Sequence, residues 1–286
     1  MTNTQNPLQN FYRSAKLYVS LPSQGKFYTD DIVNLSETTE LAILSMTAKD
    51  EMIMKNPDAL LNGEAVAQVI KSCVPQVKQP RSMVSNDIDT LLIAIQSATY
   101  GDNIDVETPC PKCNTSVEAT ASIEDSLSSM EILIESYEFE TDTGLTIEVK
   151  PFSYESSVQA GIANFQSTRS LQSLSEITDE MEQLQAFNQN FMRLASMNFD
   201  LIVDSVASIK GKDPEGEDFV VSDKNSIREF MENCESSVGK AVEQKIQEIN
   251  NIGVNKTLLL GCPNEECGHQ FEYEVGFDPV NFFTAS

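Results

Sequence analysis

Cys110-Pro-Lys-Cys113 and, far downstream, Cys262-Pro-Asn-Glu-Glu-Cys267-Gly-His269 decide how this chain is read. A short loop between two cysteines turns the backbone so that both thiolates face one point, and two such knuckles supply the four soft ligands of a tetrahedral Zn²⁺ site. The two knuckles share a context. Each opens with Cys-Pro, follows a β-prone run (Asn103–Glu107; Lys256–Leu260) and precedes another (Thr115–Ile123; Gln270–Phe277). The spacing therefore predicts a zinc ribbon built from residues 101–123 and 255–276, with Cys110, Cys113, Cys262 and Cys267 as ligands. It departs from the usual ribbon pattern because residues 114–261 lie between the knuckles and because the second pair is more widely spaced. The intervening chain reads as an insertion, and the ribbon as a clasp joining distant segments.

The same thiolates have other uses. A redox CxxC would need one pair to work alone, usually at a helix start in a thioredoxin-like α/β pattern, which this sequence does not show. An iron–sulfur cluster takes the same four thiolates and stays open behind zinc. His269 is the single histidine; with four cysteines at hand it reads as a neighbour of the metal or a solvated side chain before it reads as a ligand. Cys73 and Cys234 sit in apolar-patterned helices and read as small core residues.

Outward from the knuckles, the expected fold is α+β, a mainly helical body carrying the β-rich module. Residues 1–17 are polar and mixed and read as a flexible arm with Phe11, Tyr12, Leu17 and Tyr18 as anchors. The region 18–100 begins with an apolar strand that runs into Leu21-Pro-Ser-Gln-Gly25-Lys-Phe-Tyr28, where proline and glycine favour a turn. Thr47 with Asp50 matches a helix-start box. Leu60 through Ile70 and Ile88 through Ile95 recur at helical spacing, separated by a loop holding Pro75 and Pro80.

Within 124–254, Tyr137–Glu140 and Leu145–Lys150 flank Thr141-Asp-Thr-Gly144 as a hairpin. Ile177, Met181, Leu184, Phe187, Phe191, Leu194 and Met197 step by three or four residues and predict one apolar stripe on a long helix. Leu201 to Ile209 reads as that helix passing into a strand. A last helix, capped by Ser222-Asp223, runs through Ile227, Phe230, Met231, Val238, Val242, Ile246 and Ile249 to a stop at Gly253. Residues 277–286 form a C-terminal tail whose Phe277, Phe282 and Phe283 are candidate docking anchors.

Composition bounds the function. The chain has 286 residues, 40% of them apolar, enough to build a core. A net charge of −25 repels phosphate backbones and anionic headgroups, so neither nucleic acid nor membrane is an expected partner. No apolar run approaches the ~20 residues of a membrane-spanning helix, and the N-terminus shows no secretory pattern. No catalytic constellation is evident. A triad would have to pass through His269, four cysteines would close a metal's coordination shell, and neither GxxxxGK[ST] nor GxGxxG occurs. The expectation is a protein that is not an enzyme.

Taken in order, several motifs resemble the baseplate hub protein family of T-even-type contractile-tailed bacteriophages. They are Leu21 to Tyr28, Met46-Thr-Ala-Lys-Asp50-Glu51, Asn56-Pro-Asp-Ala-Leu-Leu-Asn-Gly63, Asp87 to Ile95 leading into Tyr100-Gly101, the two knuckles, and Phe277-Asp-Pro-Val-Asn-Phe-Phe283. The resemblance implies a structural subunit of the baseplate hub that binds other baseplate and tail proteins through extended segments, in multiple copies of a symmetric assembly. It places the chain in the virion, and in the host cytoplasm during assembly. Two alternatives accompany it: a hub assembly factor absent from the mature virion, and an intracellular zinc-ribbon adaptor, which the acidic charge disfavours. The Leu21 to Tyr28 segment reads as a partner contact, against the competing reading that Phe27 and Tyr28 cover this chain's own core.

Overall fold

In the computed structural model the described residues are 6, 8, 11–35, 39–174 and 179–275. The tail anchors Phe277, Phe282 and Phe283, and Ile177 of the helical stripe, lie outside them. Helices and antiparallel strands alternate along the chain, an α+β arrangement.

The N-terminal part builds the first core. Strand β1 (Ala15–Ser20) pairs antiparallel with β2 (Glu40–Leu44), and helices α1 (Ala48–Met54), α2 (Pro57–Leu61) and α3 (Glu64–Cys73) follow. Strand β1 starts inside the stretch read as an arm, and Arg13 just ahead of it is pinned. Its guanidinium donates to the Ser45 carbonyl at 2.6 Å and the Ser72 carbonyl at 2.7 Å, and pairs with the buried Asp50 at 3.3 Å. Asp50 is also the box residue of α1: it accepts from the Thr47 N–H at 2.8 Å while Thr47 Oγ1 accepts from the Asp50 N–H. The run read as one helix from Leu60 to Ile70 is divided at Gly63, whose φ of 72° is cheap only for glycine.

Helix α4 (Ser85–Tyr100) is the element around which the other parts gather. Its Ile88, Leu91, Leu92 and Ile95 complete the first core with Leu21, Leu41, Ile43 and Ile70. Its Ile93 meets Ile123 and Val254. Asn86, near its start, donates to the carbonyls of Ile249 and Ile252 at 3.0 and 2.7 Å, so one amide satisfies orphan acceptors at the end of a distant helix.

The Leu21 to Tyr28 segment folds inward against this helix. Leu21 and Ser23 are fully buried. The carboxylate of Asp87, buried in the first turn of α4, accepts from the Ser23 N–H at 2.9 Å, from the Ser23 hydroxyl and from the Tyr28 hydroxyl at 2.6 Å. Gly25 makes the bend: its φ is 78°, and a Cβ there would lie 1.9 Å from Leu35 Cδ1. The reading of this segment as a partner contact is therefore corrected for Leu21, Ser23 and Tyr28. Burying the Asp87 carboxylate requires donors, and these residues supply them.

The second core is organised by a four-stranded antiparallel sheet. Strands β5 (Tyr137–Glu140) and β6 (Thr146–Val149) form the hairpin expected around Gly144, and β7 (Val206–Lys212) and β8 (Asp218–Val221) extend it. Between β6 and β7 the chain makes a helical hairpin, α6 (Tyr154–Leu174) and α7 (Glu180–Ser205). The final helix is two: α8 (Lys224–Asn233), capped by Asp223, and α9 (Ser236–Asn250), broken at the extended Cys234 and Glu235. The break lets Ile227 and Met231 of α8 and Val238, Val242, Ile246 and Ile249 of α9 all face the sheet. The strand expected at the end of the Leu201 to Ile209 run is β7, and β8 beyond it completes the sheet.

The predicted stripe on α7 is divided. Leu194 and Met197 are half-buried, whereas Met181, Leu184, Phe187 and Phe191 are exposed. Pairing with α6 uses a neighbouring arc of the helix, where Ala186 and Asn190 lie; Asn190 donates to Ser167 Oγ at 2.9 Å. Among the described residues no helix is long and apolar enough to cross a membrane.

Candidate metal centre

Two hairpins carry the cysteines. Strands β3 (Asn103–Pro109) and β4 (Ser116–Ser122) pair in register, as do β9 (Thr257–Gly261) and β10 (Gln270–Glu274), and α5 (Ile123–Ser128) leaves the first hairpin. The hairpins form separate two-stranded sheets that meet through side chains, not through a shared ladder. Val106, Ala121 and Val275 fill the contact at one end, and Cys110, Val117 and Leu260 fill it at the other, with Phe271 and Tyr273 alongside. The alternation of β-prone residues in both runs is what gives each hairpin an apolar face to bury.

At the second end each chain turns back in a knuckle. In the first, the Cys110 N–H donates to the Thr115 carbonyl and the Asn114 N–H to the Cys110 carbonyl, both at 2.9 Å, with Asn114 left-handed at φ 57°. In the second, the Cys262 N–H donates to the His269 carbonyl and the Cys267 N–H to the Asn264 carbonyl, both at 2.9 Å, with Gly268 at φ 51°. These bonds aim all four sulfurs inward. Their Sγ atoms lie within 4.8 Å of one another, with 4.0 Å between Cys110 and Cys267 and 3.5 Å between Cys113 and Cys262.

Those separations test the fit to a metal. A tetrahedral ion with Zn–S bonds of about 2.3 Å sets its sulfurs roughly 3.8 Å apart, whereas a disulfide needs about 2.05 Å. The sulfurs are thus spaced for coordination. The Thr115 hydroxyl, 3.2 Å from Cys113 Sγ, favours the thiolate and lowers that thiol to about 6. Desolvation pushes the Cys262 thiol up. Cys110 is buried and Cys113 exposed, so the cluster sits at the edge of the module.

The structure brings Cys110, Cys113, Cys262 and Cys267 together and leaves the other candidates out. The His269 ring stacks on Phe271 with centroids 6.1 Å apart, and its part in the knuckle is its carbonyl. Cys73 is buried in the first core, where burial lifts its thiol to about 11. Cys234 lies half-buried at the α8 to α9 break. Among the described residues no second group of three or more His, Cys, Asp or Glu is close enough to hold an ion. Sequence reading missed the tying role of Arg13, and it marked Asp87 only as the first residue of a helical motif, with nothing local to show that its carboxylate is buried.

The chain is a mixed α and β body whose two distant hairpins bring four thiols to one point. The chain belongs to the T4 bacteriophage base plate protein family, whose model matches residues 15–284. It is accordingly a baseplate protein of the phage tail, a component of the virion that associates with other tail proteins. Among curated proteins and solved structures none matches the chain.

Proposed function

We propose that the chain is a structural subunit of the baseplate hub of a contractile tail, turning over no substrate and locked by one Zn²⁺ on Cys110, Cys113, Cys262 and Cys267. The observation that carries the reading is the four-sulfur cluster joining two distant segments of a chain that matches a baseplate family over almost its whole length. Four thiolates fill a tetrahedral shell and leave no open position for a substrate, which suits a metal that supplies folding energy and no chemistry. Hub membership is supported by the order of motifs from Leu21 to Phe283, and the absence of turnover by there being a single histidine, whose ring stacks on Phe271.

The chain's residues then have separate tasks. The knuckles hold the ion, the hairpin contact keeps residues 101–122 against 257–275, and α4 ties that module to both cores through Ile93 and through the Lys256–Asp89 ion pair. Neighbouring tail proteins see a rigid body. The test is complementation of a phage lacking the chain, using wild-type protein and a Cys110→Ser, Cys262→Ser variant. The proposal expects wild type to restore baseplates and the variant to lose zinc and fail. Baseplates assembled by a metal-free variant at wild-type yield would reject the clasp as a requirement.

A further inference from the structure

The five apolar side chains that α7 presents to solvent are the least explained surface of the molecule. Met181 is 66% exposed, Leu184 55%, Phe187 47%, Phe191 61% and Met192 67%. At 100° per residue they fall on one arc of the helix, beside the arc that packs on α6. The same face is covered further along: Phe199 and Ile202 pack into the second core, and the Arg228 guanidinium of α8 sits 5.8 Å from the Phe199 ring centroid. Upstream of Phe199 no described element of the chain completes the cover.

Charge is as informative as hydrophobicity here. The chain carries 44 acidic and 19 basic residues. Yet from Ser156 to Leu174 the sole charged residue is Arg169, and from Gln183 to Phe199 it is Arg193. Acids are missing from α6 after Glu155 and from α7 between Gln183 and Phe199, the length that carries Leu184, Phe187, Phe191 and Met192. A basic partner would be held by acids around the stripe, and from Gln183 to Phe199 there are none; Asp179, Glu180 and Glu182 flank only its first residue, Met181. What the acid-free stretch from Leu184 to Met192 permits is the approach of another body with the same acidic net charge.

We propose that this stripe is the contact between two copies of the chain, packed α7 against α7 across a two-fold axis. Area agrees with that occupant. With roughly 200 Å² for each large side chain, five that are about half exposed offer about 500 Å², near the top of the patch size found on single chains. Doubled by symmetry this is about 1,000 Å² from the stripe alone, the lower bound for a biological interface, to which the flanking polar residues of α7 add. A two-fold contact needs one self-complementary patch, and an uncharged apolar helix face is complementary to itself. The proposal does not depend on the hub reading, since it rests on α7 alone.

Sedimentation equilibrium of the full-length zinc-loaded protein, across a range of concentrations at low and high salt, tests it. The expected result is a twofold rise in mass with concentration, shifted to lower concentration by salt because screening removes the repulsion of the remaining acidic surface. The Phe187→Glu, Phe191→Glu variant should stay at the monomer mass with an unchanged circular dichroism spectrum and melt. If that pair loses helix, the milder Phe191→Ser weakens association at least tenfold with the fold intact. A wild type that is monomeric at every concentration and salt, or variants that associate as wild type does, would overturn the proposal. So would a monomeric wild type whose stripe variants lose binding to a different tail protein, which assigns the stripe to that partner.

Discussion

The Tyr28 hydroxyl donates to Asp87 Oδ2 at 2.6 Å while accepting from the Val84 N–H at 2.9 Å. One phenol thus closes the first turn of α4 to the bend at Gly25, and its ring packs against both main cores. Replacing Tyr28 by phenylalanine keeps the ring, removes one of the two hydroxyl donors to Asp87 Oδ2 and leaves the Val84 N–H without its acceptor. The expected cost is about 1–3 kcal/mol in urea unfolding. Replacing Phe27 and Tyr28 together by alanine should abolish cooperative unfolding altogether. A double variant that melts like wild type and fails only in baseplate entry would return the segment to a docking role.

Asp87 makes stability depend on pH in an unusual direction. Burial raises its carboxyl from the usual 3.8 to about 6, outweighing the hydrogen bonds from Ser23 and Tyr28 that lower it. Because the folded value lies above the unfolded one, the native state holds a proton between about pH 4 and pH 6 that the unfolded chain has released. Its contribution to stability therefore increases as pH falls through 6 and levels off near 4. Two units correspond to roughly 3 kcal/mol at most. Carboxylates such as Glu148, lowered first by the Ser208 hydroxyl, act in the opposite direction, so the comparison must be with Asp87→Asn. The difference in unfolding free energy between the two proteins should change by a few kcal/mol between pH 4 and 7 in wild type's favour at the acid end. A flat difference would contradict it.

The legible parts of the fold were those written locally. The knuckles declare themselves because Cys-Pro and the flanking β-runs are contiguous, and the hairpin at Gly144 and the Thr47–Asp50 box are equally short-range. What could not be read depends on partners distant in sequence. Nothing near Asp87 marks it for burial; its donors lie at Ser23 and Tyr28, and the burial follows from where α4 packs. The break at Cys234 was hidden because Ile227 to Ile249 keep helical spacing across it. Met181 to Phe191 carry a core-like period without a core, since α6 meets a different arc of α7. Periodicity reports that a face is apolar, not what covers it.

Removing the metal should destabilise the chain strongly, because the proposed ion closes the long segment between the knuckles and its binding energy is folding energy. Chelation is expected to lower the melting temperature by roughly 10 °C or more, at about 2–4 °C per kcal/mol for a chain of this size. Cys113→Ser should reproduce much of the loss, and re-addition of zinc should restore wild type but not the variant. An unchanged melt after elemental analysis shows zinc gone would reject the clasp. Iron with a visible charge-transfer band would replace zinc by a cluster on the same four sulfurs.

Where the chain ends up decides the functional reading most directly, and quantitative mass spectrometry of purified virions beside infected-cell lysate measures it. The account predicts the chain in virions at a fixed ratio to the other baseplate proteins. Presence in the lysate with absence from virions would contradict it, and would make the chain an assembly factor that leaves before the tail is complete.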